Sequence, residues 1–372
     1  EYLLVIELES GDQTIRYYTR IIEPQDCYVK ECVEFVEQFH NTTFDPDTLD
    51  TLSTYLERTT GDNDTLQYVS LNNSLSQVGW GSFRGKQLTT PVPSVKEITP
   101  TYNVIVLNYV VTRVGENGES EYYNVEEYYR VRYSSSRMYL LNFERTMEEI
   151  FRAENGSITE DTINLGIRSG NVEYQTNEAG SVVAFVQEGE LWSYNQIENN
   201  LTRVFSFRSQ EGMDIRENYQ EHDIRILRVD EGGSLDFVVY GYMNRGVHEG
   251  YSGVCVYHYN SDRNVVEEKV FIPSTESYEF LKEDLGTLTY VNKNNQLFLL
   301  FAQKLYQVDI ETGTSEVLEE GIKQNHFVVS DTKAHAAWLI TSGDDQGKIR
   351  EIEFDSLKTR DLSPENGQKL RV

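Results

Sequence analysis

Glu221-His222-Asp223 is the densest group of titratable side chains in the chain, with Asp214 and Glu217 just ahead of it in a polar stretch. A histidine between carboxylates has the makings of a general base. Adjacent strand residues point to opposite faces, which argues against one joint site, so the three are read as loop-borne ligand contacts rather than catalytic groups. In Gly79-Trp80-Gly81-Ser82-Phe83-Arg84-Gly85, small residues surround Trp80 and Arg84, either as a ligand platform or as a packed glycine-rich turn with the indole inside. Arg245 and His248 lie in the insertion Asn244–Gly250, read as an extended hairpin loop that adds ligand contacts.

Established catalytic patterns are missing. Gly250-Tyr251-Ser252-Gly253-Val254 lacks the final glycine of a serine-hydrolase elbow, which lets a tight turn lift the nucleophile above its sheet. Gly85-Lys86 has Trp80 where a phosphate loop needs glycine and Gln87 where it needs a hydroxyl. The six histidines and three cysteines show no Cys-x2-Cys or His-x3-His spacing. The acidic clusters Asp45-Pro46-Asp47, Asp62-Asn63-Asp64 and Asp344-Asp345 do not follow the calcium-loop pattern and read as caps and turns. No catalytic residue, metal site or cofactor is therefore assigned. Cys27 and Cys32 are placed on one helix roughly 140° apart, too divergent for a disulfide. With Cys255 they read as buried thiols.

The elements that must position these groups are mainly strands. Lys304-Leu305-Tyr306-Gln307-Val308-Asp309-Ile310 recurs 44 residues later as Lys348-Ile349-Arg350-Glu351-Ile352-Glu353-Phe354. Looser echoes are Leu191-Trp192-Ser193-Tyr194-Asn195 and Val256-Tyr257-His258-Tyr259-Asn260. A period of about 40–50 residues with four short strands per unit is that of a β-propeller, whose blades hide their faces against one another. Residues 165–372 resemble bacterial propellers of the TolB and WD40-like kind, although the Trp-Asp dipeptide and a regular Asp-Gly turn are absent. That resemblance implies the architecture and an extracytoplasmic setting.

The fold class expected is mainly β, with propeller-like repeats over 161–372 and an α+β region over 1–160. The latter opens on a hairpin, Tyr2–Glu9 and Gln13–Ile22. Helices follow at Val29–Phe39 and, started by Asp45-Pro46 and stopped by Gly61, along Leu49, Leu52 and Leu56. Gln67–Pro100 reads as loop, Val104–Val114 and Ser120–Tyr133 as a hairpin, and Phe143–Ala153 as a third helix. Tyr122, Tyr123, Tyr128, Tyr129 and Tyr133 would pack across strands or stack on sugars.

Net charge is −28, with 33 basic against 61 acidic residues, and no basic patch stands out, so nucleic acid is excluded as a partner. No apolar run reaches the ~20 residues of a bilayer span. The chain opens inside a strand-like run without Met, so a leader or anchor is expected upstream. These readings converge on a non-catalytic extracytoplasmic module, membrane-anchored or secreted, that binds protein or cell-envelope ligands through propeller loops. The alternative is a hydrolase acting on carbohydrate or peptide with two loop carboxylates about 5–10 Å apart.

Overall fold

The computed structural model describes residues 2–10, 13–22, 25–57, 65–115, 118–134, 137–152, 172–209, 214, 216–340 and 347–362. The turns expected at 343–347 and at Asn117-Gly118, the helix stop at Gly61 and the acidic pairs at 62–64 and 344–345 lie wholly or partly outside them. Two compact units emerge, the first drawn chiefly from residues 18–168 and the second from 169–210 and 216–372. Strands β1 (Tyr2–Ser10) and β2 (Gln13–Ile21) form the opening hairpin.

In the first unit, helix α1 (Val29–Thr43) and a 3-10 helix (Leu49–Tyr55) precede β3 (Tyr68–Ser70) and the single-turn α2 (Leu75–Val78). Then come β4 (Lys86–Gln87), β5 (Ser94–Ile98), β6 (Asn103–Val114), β7 (Ser120–Ser134) and β8 (Arg137–Glu149). The sheet runs β3-β8-β7-β6-β4, with β5 also paired to β6. Cys32, Val36 and Phe39, three and four apart on α1, pack on the alternate residues Ile105 and Leu107 of β6, Val125 and Tyr129 of β7 and Phe143 of β8.

Three expectations need correction here. The helix expected at Phe143–Ala153 is strand β8 through Glu149. Phe143 and Met147 are four apart, a spacing that fits helix and strand alike, and the alternating core position between them is a charged residue, Arg145, fully buried. Cys27 precedes α1 instead of lying on it. The proline-flanked 67–100 segment contains three short strands and a helix, one strand fitting between Pro93 and Pro100.

The second unit is four successive four-stranded antiparallel meanders. They are β9 (Tyr174–Thr176) to β12 (Asn200–Phe205), through β10 (Val182–Gln187) and β11 (Glu190–Asn195); then β13 (His222–Val229), β14 (Leu235–Tyr242), β15 (Ser252–Asn260) and β16 (Val265–Pro273). After helix α3 (Tyr278–Thr287) come β17 (Thr289–Val291), β18 (Gln296–Phe301), β19 (Lys304–Asp309) and β20 (Thr314–Glu320). The last sheet is β21 (Phe327–Val329), β22 (His335–Leu339), β23 (Ile349–Glu353) and β24 (Lys358–Leu362).

Strand alternation stitches successive sheets to one another, so the second and third each pack on two neighbours. On β14, Phe237 packs toward the first sheet and Val238 toward the third. On β18, Leu297 and Leu299 join the second sheet, whereas Phe298 and Leu300 join Trp338, Ile352 and Phe354 of the fourth. In the second, third and fourth sheets the fourth strand is the most exposed, β24 entirely so, whereas in the first sheet the short β9 is more exposed than β12. Sheets that bury both faces against successive neighbours and leave one edge strand in solvent are a propeller-like fold.

The four repeats read in the sequence are the third strands β11, β15, β19 and β23. Each leaves through a four-residue turn, pairing Asn195 with Asn200, Asn260 with Val265, Asp309 with Thr314 and Glu353 with Lys358. The last turn residue is left-handed every time: Asn199, Asn264, Gly313 and Leu357, with φ of 49°, 52°, 70° and 55°. Asparagine and glycine tolerate that conformation, whereas leucine is strained there by roughly 1 kcal/mol. Leu357→Asn is therefore expected to stabilise the chain by about that amount in urea unfolding; no gain would show that Leu357 packing offsets the strain.

Candidate functional site

Burial and pairing sort the residues singled out by sequence. Trp80 is 3% exposed, so it is the packed indole and not a surface platform. The Arg145 guanidinium lies 3.7 Å over its ring, and its Nε1 donates to Thr43 at 3.2 Å. Arg84 is exposed. Tyr123 and Tyr129 are core residues, and Tyr133 meets Tyr28, so packing claims the tyrosine-rich hairpin.

His222 diverges from its carboxylate neighbours as strand alternation requires. Glu221 interacts with Tyr219, helping to raise the phenol's pKa. His222 turns to Phe207, edge to face at 4.9 Å, and its Nδ1 donates to Tyr219 O at 3.1 Å. Burial and then the Arg208 charge lower its pKa to about 4, so it stays neutral near pH 7. Asp223 faces the opposite way, with Lys282 Nζ at 3.1 Å and the Tyr240 hydroxyl at 3.4 Å. Arg245 pairs loosely with Glu217 at 3.9 Å. His248 contacts Glu268 at 2.8 Å.

A cavity of about 640 Å³ that none of these residues lines opens beside α3, walled by the β18–β19 turn and the β20–β21 connection. Leu281 and Leu285 anchor the buried face of α3. One turn of helix then sets Phe280 and Asp284 together on the cavity side, where Phe280 is 62% exposed. Glu276, just ahead of the helix, accepts from Ala302 N at 2.9 Å. Ala302 and Gln303 form the two-residue β18–β19 turn with φ of 51° and 58°, a left-handed pair at which glycine or asparagine is usual. Backbone strain held by a cavity carboxylate is a feature that clusters at functional sites.

Burial, then the neighbouring charge of Glu276, raises Asp284 to about pKa 6. The cavity thus offers one carboxylate and one readily protonated acid, together with Gln303, Gln324 and Asn325. Sequence reading missed all of these residues. The available signal was Phe280 four positions from Asp284 on a helix that itself went unread. Among the described residues no helix is long and apolar enough to cross a membrane.

No protein-family model matches the chain, and no curated protein sequence does. Among solved structures it is similar to the tricorn protease, at 13% identity over 71% of this chain and 25% of that one, with a TM-score of 0.29. A puromycin-hydrolysing peptidase of Mycobacterium tuberculosis is similar at 12% identity over 78% and 48%, with a TM-score of 0.34. A calcium-binding protein of Agrobacterium tumefaciens, regucalcin, is similar at 12% identity over 65% and 69%, with a TM-score of 0.28. This chain spans a quarter and about half the length of the first two. Likeness at this level carries no argument about activity.

Proposed function

We propose that the chain is a non-catalytic extracytoplasmic recognition module, secreted or membrane-anchored, which binds a cell-envelope ligand rich in hydroxyl groups in the cavity beside α3. The observation that carries this reading is the exposed Phe280 ring set over a cavity of about 640 Å³ with Glu276 and Asp284 at its wall. An aromatic face stacks on a sugar ring, and carboxylates and side-chain amides hydrogen-bond its hydroxyls. The volume lies in the range of ligand pockets.

Calorimetric titration with cell-wall and capsular saccharide fragments checks it. One saccharide class is expected to saturate the chain, with Phe280→Ala weakening it about tenfold through loss of the stacking face. No heat from any saccharide, or unchanged affinity in the variant, would overturn the reading.

The raised Asp284 beside Glu276 favours a second reading, hydrolysis of carbohydrate or peptide with Asp284 as the acid. Asp284→Asn separates the two: a binding module keeps its saccharide and shows no turnover before or after the change, whereas a hydrolase loses product release.

A further inference from the structure

His248, Cys255 and Glu268 come from the long β14–β15 loop, from β15 and from β16, and their donor atoms all lie within 4.8 Å of one another. The geometry points to a divalent transition-metal site, Zn²⁺ by donor chemistry, which ties this loop to the second sheet. No spacing motif announces it, since the residues stand seven and thirteen positions apart.

The convergence is built by the sheet. Cys255 pairs with Phe271 and Tyr257 with Glu268, because a register shift between Val256 and Tyr257 leaves Lys269 unpaired. In regular pairing Glu268 would face away from Cys255; the bulge turns it to the same side, a common use of bulges beside functional groups. His248 is held by its ring stacked on Phe271, with centroids 3.9 Å apart and planes at 16°. The loop carrying it is closed by backbone bonds from Gly250 N to Met243 O at 3.1 Å and from Tyr251 N to His248 O at 3.0 Å.

Sulfur, imidazole nitrogen and carboxylate oxygen together suit Zn²⁺ and not the hard, all-oxygen preference of Ca²⁺ or Mg²⁺. Ligand atoms on one tetrahedral zinc lie roughly 3.3–3.8 Å apart, so the 2.8 Å His248–Glu268 contact opens slightly as the metal enters. The His248 and Glu268 side chains are 23% and 37% exposed and Cys255 is buried, so metal enters from the imidazole and carboxylate side. Binding forms a metal–sulfur bond as the thiol proton leaves to solvent. Three protein donors leave a fourth position for water or an outside ligand.

Burial holds the Cys255 thiol well above its ordinary pKa, with Tyr257 hydrogen-bonded to it. A neutral buried thiol is not an activated nucleophile, which sets covalent catalysis aside.

The test uses the untagged full chain, stripped with chelator and titrated with Co²⁺ and then Zn²⁺. One Co²⁺ per chain is expected, with a thiolate-to-cobalt charge-transfer band that Zn²⁺ abolishes. The band should persist in Cys27→Ser and in Cys32→Ser and vanish in Cys255→Ser. Glu268→Gln conserves shape at a part-exposed position and keeps the fold; it should bind at least ~10-fold more weakly, since even outer partners of a metal site are worth ~10–100-fold. A wild-type chain without the band at saturating Co²⁺, an unchanged band in Cys255→Ser, or unchanged affinity in Glu268→Gln would each overturn the site.

Discussion

Glu127→Ala is expected to destabilise the first unit by about 3–5 kcal/mol, the scale for removing one partner of a buried charge pair. The Glu127 side chain is fully buried, and its oxygens accept from His40 Nδ1 at 2.8 Å, Tyr109 at 2.8 Å and Tyr129 at 2.7 Å. Arg145 Nη1 stands 3.9 Å away and donates to Val78 O at 2.9 Å, while Nη2 donates to Gln77 O at 2.7 Å. His40 Nε2 meets Gln87 Oε1 at 2.9 Å. Removing the carboxylate would strand a buried guanidinium, an imidazolium and two phenols, against a total domain stability of about 5–15 kcal/mol. Urea unfolding followed at the first unit checks it, and a loss under about 1 kcal/mol would show that the cluster relaxes or floods with water.

The same cluster sets a pH window. Burial would lower the His40 pKa, but the Glu127 hydrogen bond and charge outweigh it and hold it above the ordinary value. Burial would raise Glu127, yet His40 and Arg145 outweigh it and hold the carboxyl below the ordinary value. The His40 contribution is therefore complete below the unfolded value of about 6.5 and fades as pH rises through the raised folded value. The Glu127 contribution is complete above about 4.3 and fades as pH falls through the lowered one. Wild-type stability should plateau between these limits, and Glu127→Ala should flatten both shoulders.

Phe298→Ala is expected to lose about 3–5 kcal/mol from the second unit. Phe298 is fully buried on β18, with its ring centroid 4.4 Å from that of Phe354 in the next sheet. Asn292 Nδ2 donates to Phe354 O at 2.9 Å, so the same seam is fixed by backbone as well as rings and the void cannot collapse freely. Val317→Ala, on the exposed fourth strand β20 at 40% exposure, should stay within about 0.5 kcal/mol. Equal losses from the two would show that successive sheets do not seal one another.

The cadence of the third strands was legible because strand length, turn length and apolar alternation are local. So was the negative result for His222, since alternation alone turns its side chain away from Glu221 and Asp223. A further local signal went unread. The turn from first to second strand in each sheet begins with Asn177, Asp230, Asn292 or Ser330, whose side chain accepts the amide of Val182, Ser234, Gln296 or His335. Unequal insertions between these turns, 53, 62 and 38 positions from one to the next, hid the repeat.

Arg145 and Glu127 show why charge misleads: each occupies a core position of a strand, which reads as solvent face until its partners on α1 and the neighbouring strands are known. Helix α3 and its Phe280–Asp284 face were missed because only contact with β14 and β18 distinguishes its leucines from a strand's.

What the chain determined by itself was the set of short strands, their turns and the amphipathic α1, each fixed by interactions within a few residues. Which carboxylates share a cavity, and that His248, Cys255 and Glu268 meet, was decided only by register: one unpaired residue on β16 flips a side chain across the sheet, and no local property of Glu268 records which face it takes.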